Sequence, residues 1–246
     1  MPLQKFRYDA RMPRGHGLAS ALGGAWRRFK GRPRHGVEVS SKPVFLGTEY
    51  GGYAVLPELL APGALVYSAG IGEDISFDLA LIERFGCVVH GFDPTPRSLA
   101  WLATQTLPPG YFVHGYGIAH FDGTASFAAP KNPAHVSHSV LETGNTGERI
   151  EFAVKRLASV LAELGHERLE LLKLDIEGSE YEVLVDLVKS IPLPRQLMVE
   201  YHHGTGGVTL EQTERSLDAL REAGYRVFDA RATGREFSLV REPSVR

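Results

Sequence analysis

The residues best suited to chemistry fall in two places. In "VYSAGIGEDISFDLALIERFGCVVHGFDP" the spacing Ser68-x-Gly70-x-Gly72 is followed at once by Glu73 and Asp74, and Asp93 comes 21 residues after Gly72. Further on, "LLKLDIEGSE" carries Asp175 and Glu177, and "LMVEYHH" carries Glu200, His202 and His203. Small residues at a turn let a ligand approach the backbone. A pyrophosphate received by the following helix N-terminus would, however, meet Glu73 and Asp74, whose charge opposes it. The dinucleotide fingerprint G-x-G-x-x-G also fails, because Ile75 stands at its third glycine position counted from Gly70. A phosphate-rich ligand is disfavoured, and a nicotinamide-dependent oxidoreductase with it.

S-adenosylmethionine satisfies the same residues. It has no phosphate and carries a positive ammonium and a positive sulfonium, so nearby acids attract it. Ser68-Ala69-Gly70-Ile71-Gly72 is then a G-x-G-x-G turn with serine in the first position, and Ser68, Ala69, Gly70, Gly72 and Glu73 are the expected cofactor contacts. Asp93 ends the next strand, where an acid reaches both ribose hydroxyls.

Methyl transfer to oxygen is an in-line displacement that needs alignment and removal of the acceptor's proton. Alignment of reactants contributes up to about 7–11 kcal/mol, while a placed base adds about 3–5 kcal/mol. Asp175 and Glu177 are expected in the catalytic site, with His202 or His203 as base because imidazole titrates near neutrality. Glu180 is read as an early-helix acid that the helix dipole favours whatever the function. Asp175, Glu177, Glu200 and His202 offer oxygen and imidazole donors that suit a divalent ion. The chain has no dedicated metal-binding spacing such as H-E-x-x-H, so no metal is assigned.

The elements that position these residues follow from the pattern of the chain. Strands are expected at Leu65–Ala69, Cys87–Phe92, Tyr111–Gly115, Leu169–Asp175 and Gln196–His202. Helices are expected at Asp74–Phe85, at Pro96–Gln105 with Thr95 as N-cap, at Ser179–Lys189 with a Ser179/Glu182 capping box, and at Leu210–Ala223. This alternation is the signature of a mostly parallel twisted sheet with helices on both faces. "YRVFDARATGREFSLVR" adds an antiparallel terminal hairpin across a Thr-Gly turn. Between the strand-like "TASFAA" and "RIEFAV" lies the long polar run "PKNPAHVSHSVLETGNTGE", read as a substrate-facing loop with His135 and His138 as contacts.

The 246 residues, 43% hydrophobic, suit one α/β domain, expected at 41–246. Residues 1–40 form a basic arm: Met1 to Gly36 has nine Lys or Arg against Asp9 alone, so it is +8 and the remainder of this −2 chain is −10. Leu18, Leu22, Trp26 and Phe29 in the arm have amphipathic-helix spacing. That helix would touch an anionic membrane or partner, or pack on its own domain or a second subunit. The overall charge gives no reason to expect nucleic acid. Cys87 is the sole cysteine, which rules out an intrachain disulfide and fits a reducing cytoplasm, and no apolar run reaches a membrane span.

From Tyr50 to His203 the chain resembles the FkbM family of S-adenosylmethionine-dependent methyltransferases, through "YSAGIGEDISF", "VHGFDPTPRSL", "DGTASF", "LLKLDIEGSEYEVL" and "LMVEYHH". The resemblance implies a class I methyltransferase, Rossmann-like fold and transfer to a hydroxyl oxygen of a sugar, glycan or related small metabolite. It places Ser68 to Gly72 on the methionine portion and Asp93 on the ribose. The family turn often begins with an acid and a glycine where this chain has Val66 and Ser68, which leaves the ammonium contact open, with Glu73 as a substitute. A non-catalytic S-adenosylmethionine-binding module on the same fold is the alternative, because cofactor-binding residues do not establish turnover.

Overall fold

The computed structural model describes residues 24, 27–28, 30–128 and 149–241. A short antiparallel pair, β1 (Val44–Leu46) and β2 (Tyr53–Val55), comes first and is followed by a single 3-10 turn at Pro57–Leu59. The main succession is β3 (Leu65–Ala69), α1 (Ser76–Phe85), β4 (Val88–Phe92), α2 (Pro96–Leu102) and β5 (Tyr111–His114). Then come β6 (Gly117–Ile118), β7 (Gly123–Ala128), β8 (Arg149–Lys155), α3 (Leu157–Leu164) and β9 (Leu171–Leu174). The chain continues through α4 (Glu180–Ser190), β10 (Gln196–Glu200), α5 (Leu210–Glu222), β11 (Tyr225–Ala230) and β12 (Glu236–Arg241).

Seven of these strands form one sheet in the order β11-β12-β10-β9-β3-β4-β5, in which only β12 runs against its neighbours. The expected parallel sheet and terminal antiparallel hairpin are both present. Strand order reverses beside β3, since β4 lies on one side of it and β9 on the other, and such a switch point leaves a crevice at the carboxyl ends of the strands. A second, three-stranded sheet, β6-β8-β7, pairs the two runs that flank the long polar segment. His135 and His138 lie outside the described residues.

Period-two alternation splits the core into two layers. Val66, Val89, Leu171 and Met198 point to a layer with Phe77 and Leu81 of α1, Leu102 of α2 and the β1-β2 pair. Tyr67, Leu172, Leu174, Leu197 and Val199 point to the other, closed by Leu157 and Val160 of α3, Val183 and Leu184 of α4 and Leu217 of α5. Burying one such aliphatic side chain contributes about 1.5–3 kcal/mol, so β3, β9 and β10, covered on both faces, are a stiff base for the loops at their ends.

Two local expectations are corrected. Ser179 occupies the N-cap of α4, but its side chain makes no capping hydrogen bond, because its backbone is already near helical at φ −86°, ψ −7°. The capping box belongs to α5, where Thr209 Oγ1 accepts from the Gln212 amide and Gln212 Oε1 accepts from the Thr209 amide. The helix expected to reach Gln105 ends at Leu102.

Of the basic arm, Gly24, Arg27 and Arg28 are helical, while Leu18, Leu22, Trp26 and Phe29 lie outside the described residues. Its described end is fastened to α5 and β11. Arg28 and the Arg34 amide reach the buried Glu214 at 2.8 and 2.9 Å, and Glu38 joins Arg221 to the Val227 backbone.

Candidate functional site

A cavity of about 660 Å³ opens at the carboxyl ends of β3, β4 and β9, within the usual size range for small-molecule sites. The glycine turn forms one wall. Gly70 has φ +79°, and a Cβ there would fall 1.7 Å from the Asp175 carbonyl oxygen, so the turn and the end of β9 touch backbone to backbone. Gly72 has φ +58° and nothing within 4 Å of where its Cβ would point. Both conformations favour glycine.

The charged residues of the cavity are mostly acidic. Glu73, Asp74, Asp93, Asp175 and Glu177 line it, and Lys173 is the one cationic side chain among the lining residues. Alternation along "LLKL" turns Lys173 to the face of Leu171, where the layer opens into the cavity. Its Nζ donates to the Gly70 carbonyl at 2.5 Å and lies 3.8 Å from Asp175 Oδ2. Lys173 carries a signal in the sequence itself, as a lone lysine in the otherwise apolar strand "LLKL".

The acids of the turn are not equivalent. Asp93 is 5% exposed, and its carboxylate already accepts four hydrogen bonds. Oδ2 takes the amides of Ile71 and Gly72 at 3.1 and 2.9 Å, and Oδ1 takes the amide and hydroxyl of Thr95 at 2.9 and 2.6 Å. It therefore clamps the glycine turn to the end of β4. Glu73 forms a two-pronged pair with Arg97, at 3.0 and 2.9 Å. Asp74 binds Thr48 Oγ1 and the Ser76 amide, and these bonds outweigh burial and hold its carboxyl below the usual range. Through Thr48 it draws the 48–51 segment, with the exposed Tyr50, over the cavity's lip.

Ser68 and Ala69, expected to touch the cofactor, stay inside β3 at 1% and 0% exposure and are not among the lining residues. The lining begins one residue later, at Gly70, with Ile71 and Gly72 after it.

The far wall is built by the turn after β9. Glu177 has φ +52°, the left-handed region that costs a side-chain-bearing residue about 1–2 kcal/mol. Such strain persists where the surroundings impose it, often at functional sites. Burial pushes the Asp175 carboxyl up. Behind these two acids stands His202, 7% exposed, with Nε2 3.3 Å from Glu177 Oε2 and 3.8 Å from Asp175 Oδ1. Its Nδ1 lies 3.1 Å from Oε1 of Glu180, which also accepts the His202 amide, while Glu180 Oε2 accepts the Gly178 amide. Glu180 is fully buried, so it is no mere dipole-favoured surface acid. It ties the turn after β9 to the end of β10, a role that its place in the first helical turn concealed.

Electrostatics separates the two histidines proposed as base. Burial opposes charge on His202, but the Glu180 hydrogen bond and the charges of Glu180, Glu177 and Asp175 overcome it and carry the imidazole up to about 9. The surrounding carboxylates thus favour the protonated imidazole. Burial, Arg235 and His202 lower His203, whose Nδ1 lies 3.2 Å from Thr213 Oγ1. Neither ring is among the lining residues, whereas Asp175 and Glu177 are. Glu200 is pushed up to about 8 by burial and by Asp175.

The family profile described as "Methyltransferase FkbM domain" matches residues 63–227, and the chain belongs to that family of methyltransferases. "Probable methyltransferase-like protein 24" from Homo sapiens is 30% identical over 174 residues, covering 66% of this chain and 41% of that protein. "31-O-demethyl-FK506 methyltransferase FkbM" from Streptomyces tacrolimicus is 26% identical over 180 residues, covering 61% of this chain and 69% of that protein. The chain thus spans about two fifths of the length of its human relative. Among solved structures, the fibrillarin pre-rRNA processing protein of Methanococcus jannaschii has a TM-score of 0.46 at 13% identity, covering 77% of this chain and 70% of that one. An rRNA methylase of Streptococcus thermophilus has a TM-score of 0.41 at 10% identity, covering 76% and 92%. The sheet order, with its single antiparallel strand, is that of the class I methyltransferase fold.

Proposed function

We propose that the chain is an S-adenosylmethionine-dependent O-methyltransferase acting on a hydroxyl of a sugar, glycan or related small metabolite. The observation that carries this reading is a glycine-walled cavity lined by five carboxylates and one lysine. Such a lining suits a ligand with an ammonium and a sulfonium and opposes a phosphodiester backbone. Bound there, S-adenosylmethionine supplies an electrophilic methyl group on positively charged sulfur.

This chain's residues have three tasks. The Gly70 and Gly72 backbone admits the cofactor closely, with Asp93 fixing the turn rather than reaching freely for the ribose. Asp175 and Glu177 face the acceptor, hold its hydroxyl in line and take its proton. Burial keeps the Asp175 carboxyl a stronger base than an exposed aspartate. His202, anchored on Glu180, holds the two carboxylates in place from behind. The 48–51 segment closes the lip and excludes water. The name of the Streptomyces relative, which denotes a methyl acceptor at an oxygen, supports oxygen as the acceptor atom.

The test is transfer of a labelled methyl group from S-adenosylmethionine to a panel of hydroxylated sugars and alicyclic alcohols, with the product located by mass spectrometry. Methyl ethers formed by the wild-type chain and reduced about 100-fold or more in Asp175→Asn support the reading. Methylation confined to nitrogen or carbon acceptors, or unaffected by Asp175→Asn, contradicts it.

A further inference from the structure

We propose that Asp175, Glu200 and His202 bind a divalent metal ion at the acceptor end of the cavity. Its role in orienting the acceptor rests on the methyl-transfer reading above, but its binding does not.

The three side chains come from the ends of adjacent strands. Asp175 follows β9, while Glu200 closes β10 and His202 comes two residues later. One donor atom from each lies within 4.8 Å of the others. Divalent cations hold oxygen ligands at about 2.0–2.6 Å, so donors on opposite sides of one ion are about 4–5 Å apart. The cluster has that spread already.

His202 supplies an independent observation. It is more than nine-tenths buried, and its Nδ1 is engaged by the fully buried Glu180. Its Nε2 faces the cluster, 3.3 Å from Glu177 Oε2 and 3.8 Å from Asp175 Oδ1. A carboxylate behind one ring nitrogen is the usual device for orienting the other toward a metal. The Asp175 and Glu200 carboxylates accept no hydrogen bond among the described residues; the contacts of Asp175 are ion-pair distances of 3.8 Å to Lys173 and His202.

Charge points the same way. Asp175, Glu177, Glu180 and Glu200 converge here beside the single ammonium of Lys173, and a bound divalent ion would take the place of the proton on His202 Nε2. Burying unbalanced like charges is costly, and such groups are otherwise paired or coordinate a metal. Two carboxylate oxygens and one imidazole nitrogen suit a first-row divalent ion such as Mn²⁺ better than an all-oxygen Ca²⁺ site.

Asp175 borders the cavity, so an ion here can also meet the acceptor's hydroxyl and lower its pKa. The proton then passes to Glu177. The acceptor's oxygen pair forms the bond to the methyl carbon, the carbon–sulfur bond breaks, and its electron pair stays on sulfur, leaving a neutral thioether.

The experiment is calorimetric titration of the full untagged chain with Mn²⁺, alongside Glu200→Gln and His202→Gln, each also titrated with S-adenosylhomocysteine. One Mn²⁺ per chain, bound at least tenfold more weakly by both variants while they keep the adenosyl ligand, supports the site. No saturable Mn²⁺ binding by the wild-type chain, or equal affinity in the variants, overturns it. Pulsed electron paramagnetic resonance on the Mn²⁺-loaded wild-type chain does not depend on either variant folding. A nitrogen coupling from one imidazole is expected, and its absence overturns ligation by His202. Mn²⁺ binding without S-adenosylhomocysteine binding would keep the site and overturn its role in methyl transfer.

Discussion

Asp93→Asn separates two roles that sequence and structure assign differently to the same carboxylate. The substitution keeps shape and replaces one acceptor oxygen with an NH₂ group. Whichever oxygen is lost, two of the four donors now held by Asp93 lose their acceptor: the amides of Ile71 and Gly72, or the amide and hydroxyl of Thr95. A buried donor left without a partner costs about 1–3 kcal/mol, so two cost about 2–6 kcal/mol. For a chain of this size it corresponds to a fall in melting temperature of roughly 4–24 °C. The assay is thermal unfolding by circular dichroism without ligand, followed by S-adenosylhomocysteine titration below the transition. Loss of both stability and affinity is expected, because the clamp shapes the turn before any ligand arrives. An unchanged melting temperature with lost affinity would show that Asp93 acts only on the ligand and would refute the clamp.

Gly70→Ala should destabilise by at least about 3 kcal/mol, since its Cβ would meet the Asp175 carbonyl, whereas Gly72→Ala should cost about 1–2 kcal/mol from its positive φ alone; denaturant melts that rank the two equally would refute the contrast. Glu177→Gly should raise stability by about 0.5–1 kcal/mol through relief of the left-handed backbone, offset in part by glycine's greater chain entropy, while lowering turnover; a less stable variant would show that the Glu177 side chain contributes more than its strain costs. His202, at about 9 against its ordinary 6.5, stabilises fully below pH 6.5 and loses that contribution as pH rises through 9. Glu200, at about 8 against 4.5, favours the folded state while protonated and loses that contribution as pH rises through 8. The melting temperature of the metal-free chain should therefore fall between pH 4.5 and 9, most steeply between 6.5 and 8 where both groups contribute, and His202→Gln should flatten the slope above 6.5; an unchanged slope would refute the assignment.

The parallel sheet and its hairpin were legible because their signals are local: β-branched and aromatic runs, turn residues and helical spacing repeat at the right intervals. That Asp175 and Glu177 line the cavity was legible for the same reason, as they are acids at a strand end beside glycine. What escaped depends on contacts across the sheet. Glu180 resembles any first-turn acid until β10 brings the His202 amide and ring against it. Ser68 falls in register with the glycine motif, yet strand alternation turns it into the core. The ionisation of His202 could not be read from "EYHH", because the carboxylates that raise it come from two other segments.

Calorimetric titration of the purified chain with S-adenosylhomocysteine and, separately, with NAD⁺ tests the central claim most directly. Saturable binding of the adenosyl ligand at one site per chain, with no heat from the nucleotide, is the predicted result. Binding of NAD⁺ in its place would contradict a cavity whose five lining carboxylates are read as receiving a cation.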